Sequence, residues 1–371
     1  MTDEVFWCTT CLNMSTRPRI TFDSQGRCNA CQWAEQKRTF DWDSRKVELK
    51  NLLDANRSDD GSFDCVVPVS GGKDGSYIAY QLKAVYGMNP LCITVTPPLP
   101  TQVGSQNILN FIGSGFDLIQ LNPSAETMQK LNRAGFIENG LPYFGWLAAI
   151  EAAVPKYAAR LGIKLVFYSE EGETEYGGTT KLSGSPFYTP SFQGEVYLES
   201  GFELVANAAG IPFGALDFYS LMTDTEFSEQ DMKIAHWSYF EDWNPYYNYL
   251  VAKEYCGLVE EIETNSGTFT NYAQNDQDLY ALHTYLMYLK FGFGRATQDA
   301  GIDIRRGAMT RDQAVNLVKF YDGQYPEQYI DTYLKYFKMS LEEFEVVLDK
   351  WANRKLFKKV GRRWQPTFKI I

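Results

Sequence analysis

Cys65-Val66-Val67-Pro68-Val69-Ser70-Gly71-Gly72-Lys73-Asp74-Gly75-Ser76 is a short apolar run that ends abruptly in a serine–glycine–glycine turn, and the helix-compatible segment 77–86 follows at once. A buried strand that delivers its C-terminal end into a glycine loop and then a helix places backbone N–H groups, and the positive end of a helix dipole, where a polyphosphate can sit. Glycines accept φ > 0 and let phosphate oxygens approach without a Cβ in the way. Lys73 adds a point charge there, and Ser70 and Ser76 add hydroxyl donors. The spacing is neither the Gly-x4-Gly-Lys-Ser/Thr nor the Gly-x-Gly-x-x-Gly pattern.

Downstream, short apolar runs alternate with helical patterns. Strands are expected at 65–69, 91–95, 117–121 and 163–168, and helices at 77–86, 102–111, 125–134 and 144–161. This alternation predicts an α/β fold with a parallel, doubly wound sheet whose ligands lie at the C-terminal strand ends. The loop resembles the Ser-Gly-Gly-x-Asp-Ser signature of the PP-loop ATP pyrophosphatases, adenylating enzymes related to GMP and NAD synthetases. One departure is visible: Gly75 stands where that family usually has serine, with Ser76 next to it. The resemblance implies ATP held by Ser70, Gly71, Gly72, Lys73, Asp74, Gly75 and Ser76, with adenine beside the backbone at Thr94.

The 371 residues exceed one ordinary domain of about 100–200 residues, so several units are expected. They are a four-cysteine unit at 1–40, a linking helix at 41–62 that takes up most of the charged stretch 33–61, the α/β domain at 63–240 and a helical region at 241–371. A net charge of −11 argues against duplex nucleic acid or an anionic membrane as partner. No apolar run approaches the ~20 residues that span a bilayer and no signal-like start is seen, so a cytoplasmic protein is expected.

Four of the seven cysteines are clustered. Cys8-x2-Cys11, 16 residues, then Cys28-x2-Cys31 is the spacing of a tetrahedral zinc site, and four thiolates leave no open position, so a structural role is expected. Cys65, Cys92 and Cys256 sit in apolar or mixed surroundings and read as packing residues. His236 reads as a packed or hydrogen-bonded histidine, since no second ligand lies at metal spacing. A last strand is expected near 233–240, and Asn244-Pro245 opens a helix through Cys256.

Two further stretches carry charge. The run Ser169-Glu170-Glu171-Gly172-Glu173-Thr174-Glu175-Tyr176-Gly177-Gly178 follows an expected interior strand, so it faces the ligand crevice and is suited to holding Mg2+ against ATP phosphates; Glu171 and Glu173 are favoured, against the alternative of a solvated acidic loop. Lys290, Arg295, Arg305, Arg306 and Arg311, with Thr297, make a positive block in an acidic chain. Arginine forks bind phosphate bidentately, so the block suits a second anionic substrate; the alternative is pairing with acids of the α/β domain. Thr310 is placed to cap a helix over 311–321.

The cysteine knuckle, the Ser-Gly-Gly-Lys-Asp loop, the Glu-Tyr-Gly-Gly segment and the block Lys290-Phe291-Gly292-Phe293-Gly294-Arg295-Ala296-Thr297 with Ile304-Arg305-Arg306-Gly307-x-Met309-Thr310-Arg311 together resemble the N-acetyl sugar amidotransferases of bacterial surface-glycan synthesis. That resemblance implies an enzyme that converts an acetamido group on a nucleotide-activated sugar, such as a UDP-acetamido sugar, to an acetamidino group. It implies ATP with Mg2+, structural Zn2+ on Cys8, Cys11, Cys28 and Cys31, and catalytic roles for Lys73, Asp74, Glu171 and Glu173. The positive block would bind the substrate, and partner subunits similar to the glutaminase and cyclase of histidine biosynthesis would supply ammonia. Two rivals remain: a PP-loop tRNA-modifying enzyme, and a non-enzymatic ATP-binding scaffold.

Overall fold

The computed structural model describes residues 5–370; positions 1–4 and 371, the outer ends of the expected first and last units, lie outside the described residues. Its main sheet has strands β1 Cys65–Pro68, β2 Pro90–Val95, β3 Leu118–Leu121, β4 Leu165–Tyr168, β5 Phe187–Tyr188 and β6 Lys233–His236, in the order β3-β2-β1-β4-β6-β5. All pair in parallel except β5, which runs antiparallel to β6 at one edge.

Side chains alternate across the pleat, and each face is buried by different helices. Val66, Ile93, Val166 and Ile234 face a core completed by the helices Ala125–Asn139, Phe144–Arg160 and Phe202–Ala209. Val67, Cys92, Phe167 and Ala235 face the other, completed by Trp42–Asp54, Lys73–Tyr80 and Pro245–Cys256. Both sides of the sheet are therefore covered, which explains why its strands read as unbroken apolar runs rather than alternating ones. A third core, built mainly from Leu279–Phe291, Ile330–Phe337 and Leu341–Trp351, also takes in Met14 and Phe136, so the N-terminal segment and the sheet domain are pinned to the C-terminal region.

Two expectations change, and one strand is added to those expected. The segment 33–61 holds parts of two helices rather than one: Asn29–Lys37 ends near Arg38, and Asp41, accepting from the Ser44 N–H at 3.0 Å, caps Trp42–Asp54. The Arg45 guanidinium lies 4.0 Å from the Phe40 ring centroid and 4.1 Å from that of Tyr239, which fixes this corner by a tertiary contact that local periodicity does not encode. The helix after the glycine loop begins at Lys73, not at 77, so the loop is itself the helix N-terminus. Strand β5 is a two-residue edge element, too short to leave a pattern.

Other local readings hold. Asn244 Oδ1 accepts from the N–H groups of Tyr246 and Tyr247, with Pro245 at the first helical position. Thr310 and Gln313 form a reciprocal capping box at the start of Arg311–Tyr321. His236 is buried, stacks on Tyr188 at 4.2 Å and pairs through Nε2 with the Tyr197 hydroxyl at 2.9 Å; burial pushes its pKa down to about 3. Cys65, Cys92 and Cys256 are buried, and desolvation raises all three thiols. Among the described residues, no helix is long and apolar enough to cross a membrane.

Candidate functional site

The strand order reverses at β1, with β2 and β3 to one side and β4 to the other, and this switch point is where open α/β sheets bind ligands. A cavity of about 310 Å3 occupies it. Its walls are the loop Ser70–Gly75, Thr94 at the end of β2, Ser169 and Glu170 after β4, and Arg295 from the C-terminal region.

The loop geometry follows from its glycines. Gly71 has φ +77°, and a Cβ there would lie 2.9 Å from the Ile108 backbone nitrogen, so both conformation and space exclude a side chain. Gly72 is the N-cap of Lys73–Tyr80, and no side chain caps that helix end. The first-turn amides are thus open to an anion in the cavity. At Gly75 the helix packs closely on β1: a Cβ would stand 2.6 Å from the Pro68 carbonyl oxygen and 3.1 Å from Val69 Cα. Gly75→Ser is therefore expected to lower stability by about 1–3 kcal/mol, read as a drop in melting temperature; an unchanged transition would show that helix and strand separate freely.

Lys73 and Asp74 form an ion pair at the cavity wall, and Asn248 Nδ2 donates to Asp74 Oδ1 at 3.2 Å. Glu170, whose Oε1 accepts from the Tyr176 hydroxyl at 2.9 Å, completes a carboxylate pair. Burial raises the Glu170 carboxyl, the neighbouring Asp74 adds to this, and Lys73 opposes it. Trp146, Ile150 and Val154 supply an apolar wall, with Trp146 Nε1 donating to the Val95 carbonyl at 2.9 Å.

The other glutamates of the acidic run are engaged elsewhere. Glu171 is the buried N-cap of the short helix Gly172–Tyr176, accepting from the Thr174 N–H at 2.8 Å, and burial pushes it up to about 7. Glu173 accepts two bonds of 2.7 Å from Arg19 and one from the Thr179 N–H. Glu175 accepts from Trp33 Nε1 and Lys37 Nζ. Glu170, not Glu171 or Glu173, faces the glycine loop. The sequence signal was the cap itself: an acidic residue three positions before Thr174 at a helix start points its carboxylate back at the backbone, away from a ligand.

The positive block divides. Arg295 lines the cavity, its Nε donating to Asp299 at 2.8 Å. Arg305 and Arg306 line a second cavity of about 270 Å3 with Lys37 and Arg38. A constriction of about 20 Å3 shares Lys73 and Arg295 with the first cavity and Pro245 and Arg306 with the second, and Tyr176 with both. Thr297 is buried and serves the helix start, donating at 2.6 Å to Asp322, which also accepts from the Gly294 N–H. Lys290 belongs to another cavity. Arg311, at the start of its helix, and buried Ser76 line none of these cavities.

Sequence reasoning missed the segment 272–276, which closes the cavity over the loop. It is held by the Thr101 N–H bond to the Asp276 carbonyl at 3.2 Å, and it lies so close to helix Gln102–Gly113 that a Cβ on Gly104 would meet Asp276 Cα at 2.5 Å. Nothing in its polar composition separates it from an ordinary loop.

Cys8, Cys11, Cys28 and Cys31 are buried, with all four Sγ atoms within 4.8 Å of one another. The Cys8–Cys31 and Cys11–Cys28 Sγ separations are 3.7 and 3.6 Å, and a metal–sulfur distance of about 2.3 Å gives a tetrahedron with edges of about 3.8 Å. The set fits zinc. The Cys28 N–H points at Cys8 Sγ at 3.2 Å, and the half-buried Arg305 guanidinium faces the thiols.

The fold and these two centres define the class: a doubly covered, mostly parallel α/β protein with an anion-suited crevice and a four-cysteine cluster that could hold a metal. Residues 266–370 match the model of the LPS biosynthesis protein WbpG-like C-terminal domain. The chain is also 27% identical over 104 residues to the uncharacterised protein MJ1599 of Methanocaldococcus jannaschii, covering 28% of this chain and 37% of that protein. It therefore spans little more than a third of that relative's length.

Proposed function

We propose that the protein is an ATP-dependent amidotransferase of surface-glycan biosynthesis, acting on an acetamido group of a nucleotide-activated sugar. The observation that carries this is the convergence of the uncapped Lys73–Tyr80 helix start, the Lys73–Asp74 pair, Glu170 and Arg295 on one cavity at the sheet's switch point. The match of the C-terminal third to a lipopolysaccharide biosynthesis domain supports the glycan assignment.

An amide oxygen is a poor leaving group. In the proposed chemistry it attacks the α-phosphorus of ATP, the bond to the β-phosphate oxygen breaks and pyrophosphate leaves. Ammonia then attacks the amide carbon, and AMP departs with the oxygen, leaving an amidine. Such steps ask for positioning and charge stabilisation rather than a protein nucleophile. The glycine loop and Lys73 bind the departing pyrophosphate, and Arg295 faces the same phosphates. Asp74 and Glu170 offer hard oxygen ligands on one wall and would hold Mg2+, which supplies charge neutralisation. The Trp146–Val154 wall suits adenine beside Thr94. The acceptor's diphosphate is assigned to Arg305 and Arg306, whose cavity adjoins Lys73 through the constriction. Ammonia would come from glutaminase and cyclase-like partners.

The test is incubation with ATP, Mg2+, ammonium and a UDP-diacetamido sugar. Acceptor-dependent AMP and pyrophosphate, with a product carrying one more positive charge, are expected. AMP formed only with tRNA, or no turnover with any acceptor, overturns the reading. Within this scheme Arg306→Gln is expected to raise the KM for the sugar nucleotide about tenfold while leaving that for ATP unchanged. The reverse pattern would move the acceptor elsewhere.

A further inference from the structure

Between the zinc-binding segment and the helix Leu279–Phe291 lies a separate cavity of about 190 Å3 that shares no lining residue with the glycine-loop cavity. Arg17, Lys290 and His283 converge on it over an apolar floor that includes Phe293. Arg17 Nε and Nη1 and His283 Nδ1 are buried and have no hydrogen-bond partner. The Arg17 guanidinium lies over the rings of Tyr176, at 5.9 Å, and Phe293, at 5.5 Å, which stabilise a cation but accept no N–H in the plane of the fork. A buried charged donor without an acceptor is costly, and the cost disappears when an oxyanion fills the space. Burial lowers Arg17 to about 10, with Glu173 opposing, so it stays charged at neutral pH.

The other groups of the cavity leave room for an anion. Lys290 Nζ donates to the Asn139 carbonyl at 3.0 Å and keeps two further N–H donors. Burial holds His283 neutral, with Lys290 and Arg295 adding to the effect, so one ring nitrogen remains a donor. Of the wall's acids, Glu173 is satisfied by Arg19 and the Thr179 N–H, and Glu199 is exposed.

We propose that this cavity is a second oxyanion site, taking a phosphate group on the Arg17 fork with Lys290 and His283 as further donors. The site is linked to the first. Arg17 stacks on Tyr176, whose hydroxyl holds Glu170 at the glycine loop, so filling it fixes the ring that positions that carboxylate.

Calorimetric titration of the zinc-loaded full chain with inorganic phosphate tests the site without any turnover, so its outcome is independent of the proposed reaction. With the glycine-loop site first saturated with ATP in the absence of acceptor, phosphate affinity is expected to fall about tenfold or more in Arg17→Gln and in Lys290→Met. Should Arg17→Gln fail to fold, Lys290→Met carries the test alone. A parallel titration with UDP separates the sources. UDP affinity lost in the same variants assigns the phosphate to a nucleotide, and unchanged UDP affinity assigns it to a free ion. Phosphate affinity kept in both variants, or no phosphate binding to the ATP-saturated chain, overturns the proposal.

Discussion

Lys73→Ala is expected to lower acceptor-dependent AMP formation about a thousandfold while the chain keeps its zinc and melts within a degree or two of the parent. Lys73 is the one lysine on the cavity wall among the described residues, and its ammonium stands beside Asp74 at a helix start that no side chain caps. Removing one preorganised charge aimed at a departing phosphate costs about 10²–10³ in rate. Little stability is at stake: Lys73 is half-buried, and after its loss Asp74 still accepts from Asn248 Nδ2 and sits in the first helical turn, where a carboxylate is favoured. Lys73→Arg should not restore the rate, because a planar fork cannot replace a compact point charge where backbone and phosphate meet closely. The readout is pyrophosphate release against melting temperature and metal content. Substantial turnover by the alanine variant would remove the loop from the mechanism.

What the sequence disclosed, and what it withheld, follows from how local each determinant is. Gly71 marks the loop because positive φ and close backbone approach are demands that one residue type meets. The Cys-x-x-Cys pairs, Thr310 and Asn244-Pro245 are similarly short-range and are found in their expected places. Glu170 was hidden among four glutamates because the distinction between it and Glu171 is one of direction: a cap turns Glu171 inward, and the residue before it is left facing the crevice. The positive block looked like one patch, yet the helix Arg295–Arg305 distributes it. Arg295, at the helix start, faces the first cavity, and Arg305, at its end, faces the zinc cysteines and the second. The closing segment 272–276 is made by contact with Gly104 across more than 160 residues, and no local pattern announces such a contact.

Zinc removal is expected to cost about a hundredfold in acceptor-dependent turnover although no cysteine reaches the glycine-loop cavity. The four-cysteine segment is clamped onto the chain between β4 and β6. Asn13 Nδ2 donates to the Tyr176 carbonyl at 3.0 Å, Asn29 Nδ2 to the Gly178 carbonyl at 2.6 Å, and Trp33 Nε1 to Glu175 at 2.8 Å. Those bonds hold the short helix whose last residue, Tyr176, positions Glu170. Gly177, at φ +95°, would place a Cβ 3.0 Å from Asn13 Nδ2, so the two pieces are in direct contact. Four thiolates around a divalent ion carry a net charge of −2, which the half-buried Arg305 offsets, and Arg305 also donates to the Glu175 carbonyl at 3.1 Å. Stripping the metal lets the thiols protonate and leaves that half-buried guanidinium without its counter-charge. The N-terminal segment should therefore release, exposing Trp33, while the sheet, whose two cores do not depend on it, stays folded. Chelation followed by tryptophan fluorescence and circular dichroism reads both halves: a red shift without loss of helix signal, with turnover restored by added Zn2+. Cys28→Ser should reproduce the chelated state without rescue. Full activity in a metal-free chain would show that Tyr176 and Glu170 keep their places unaided, and that the knuckle serves a different end of the molecule.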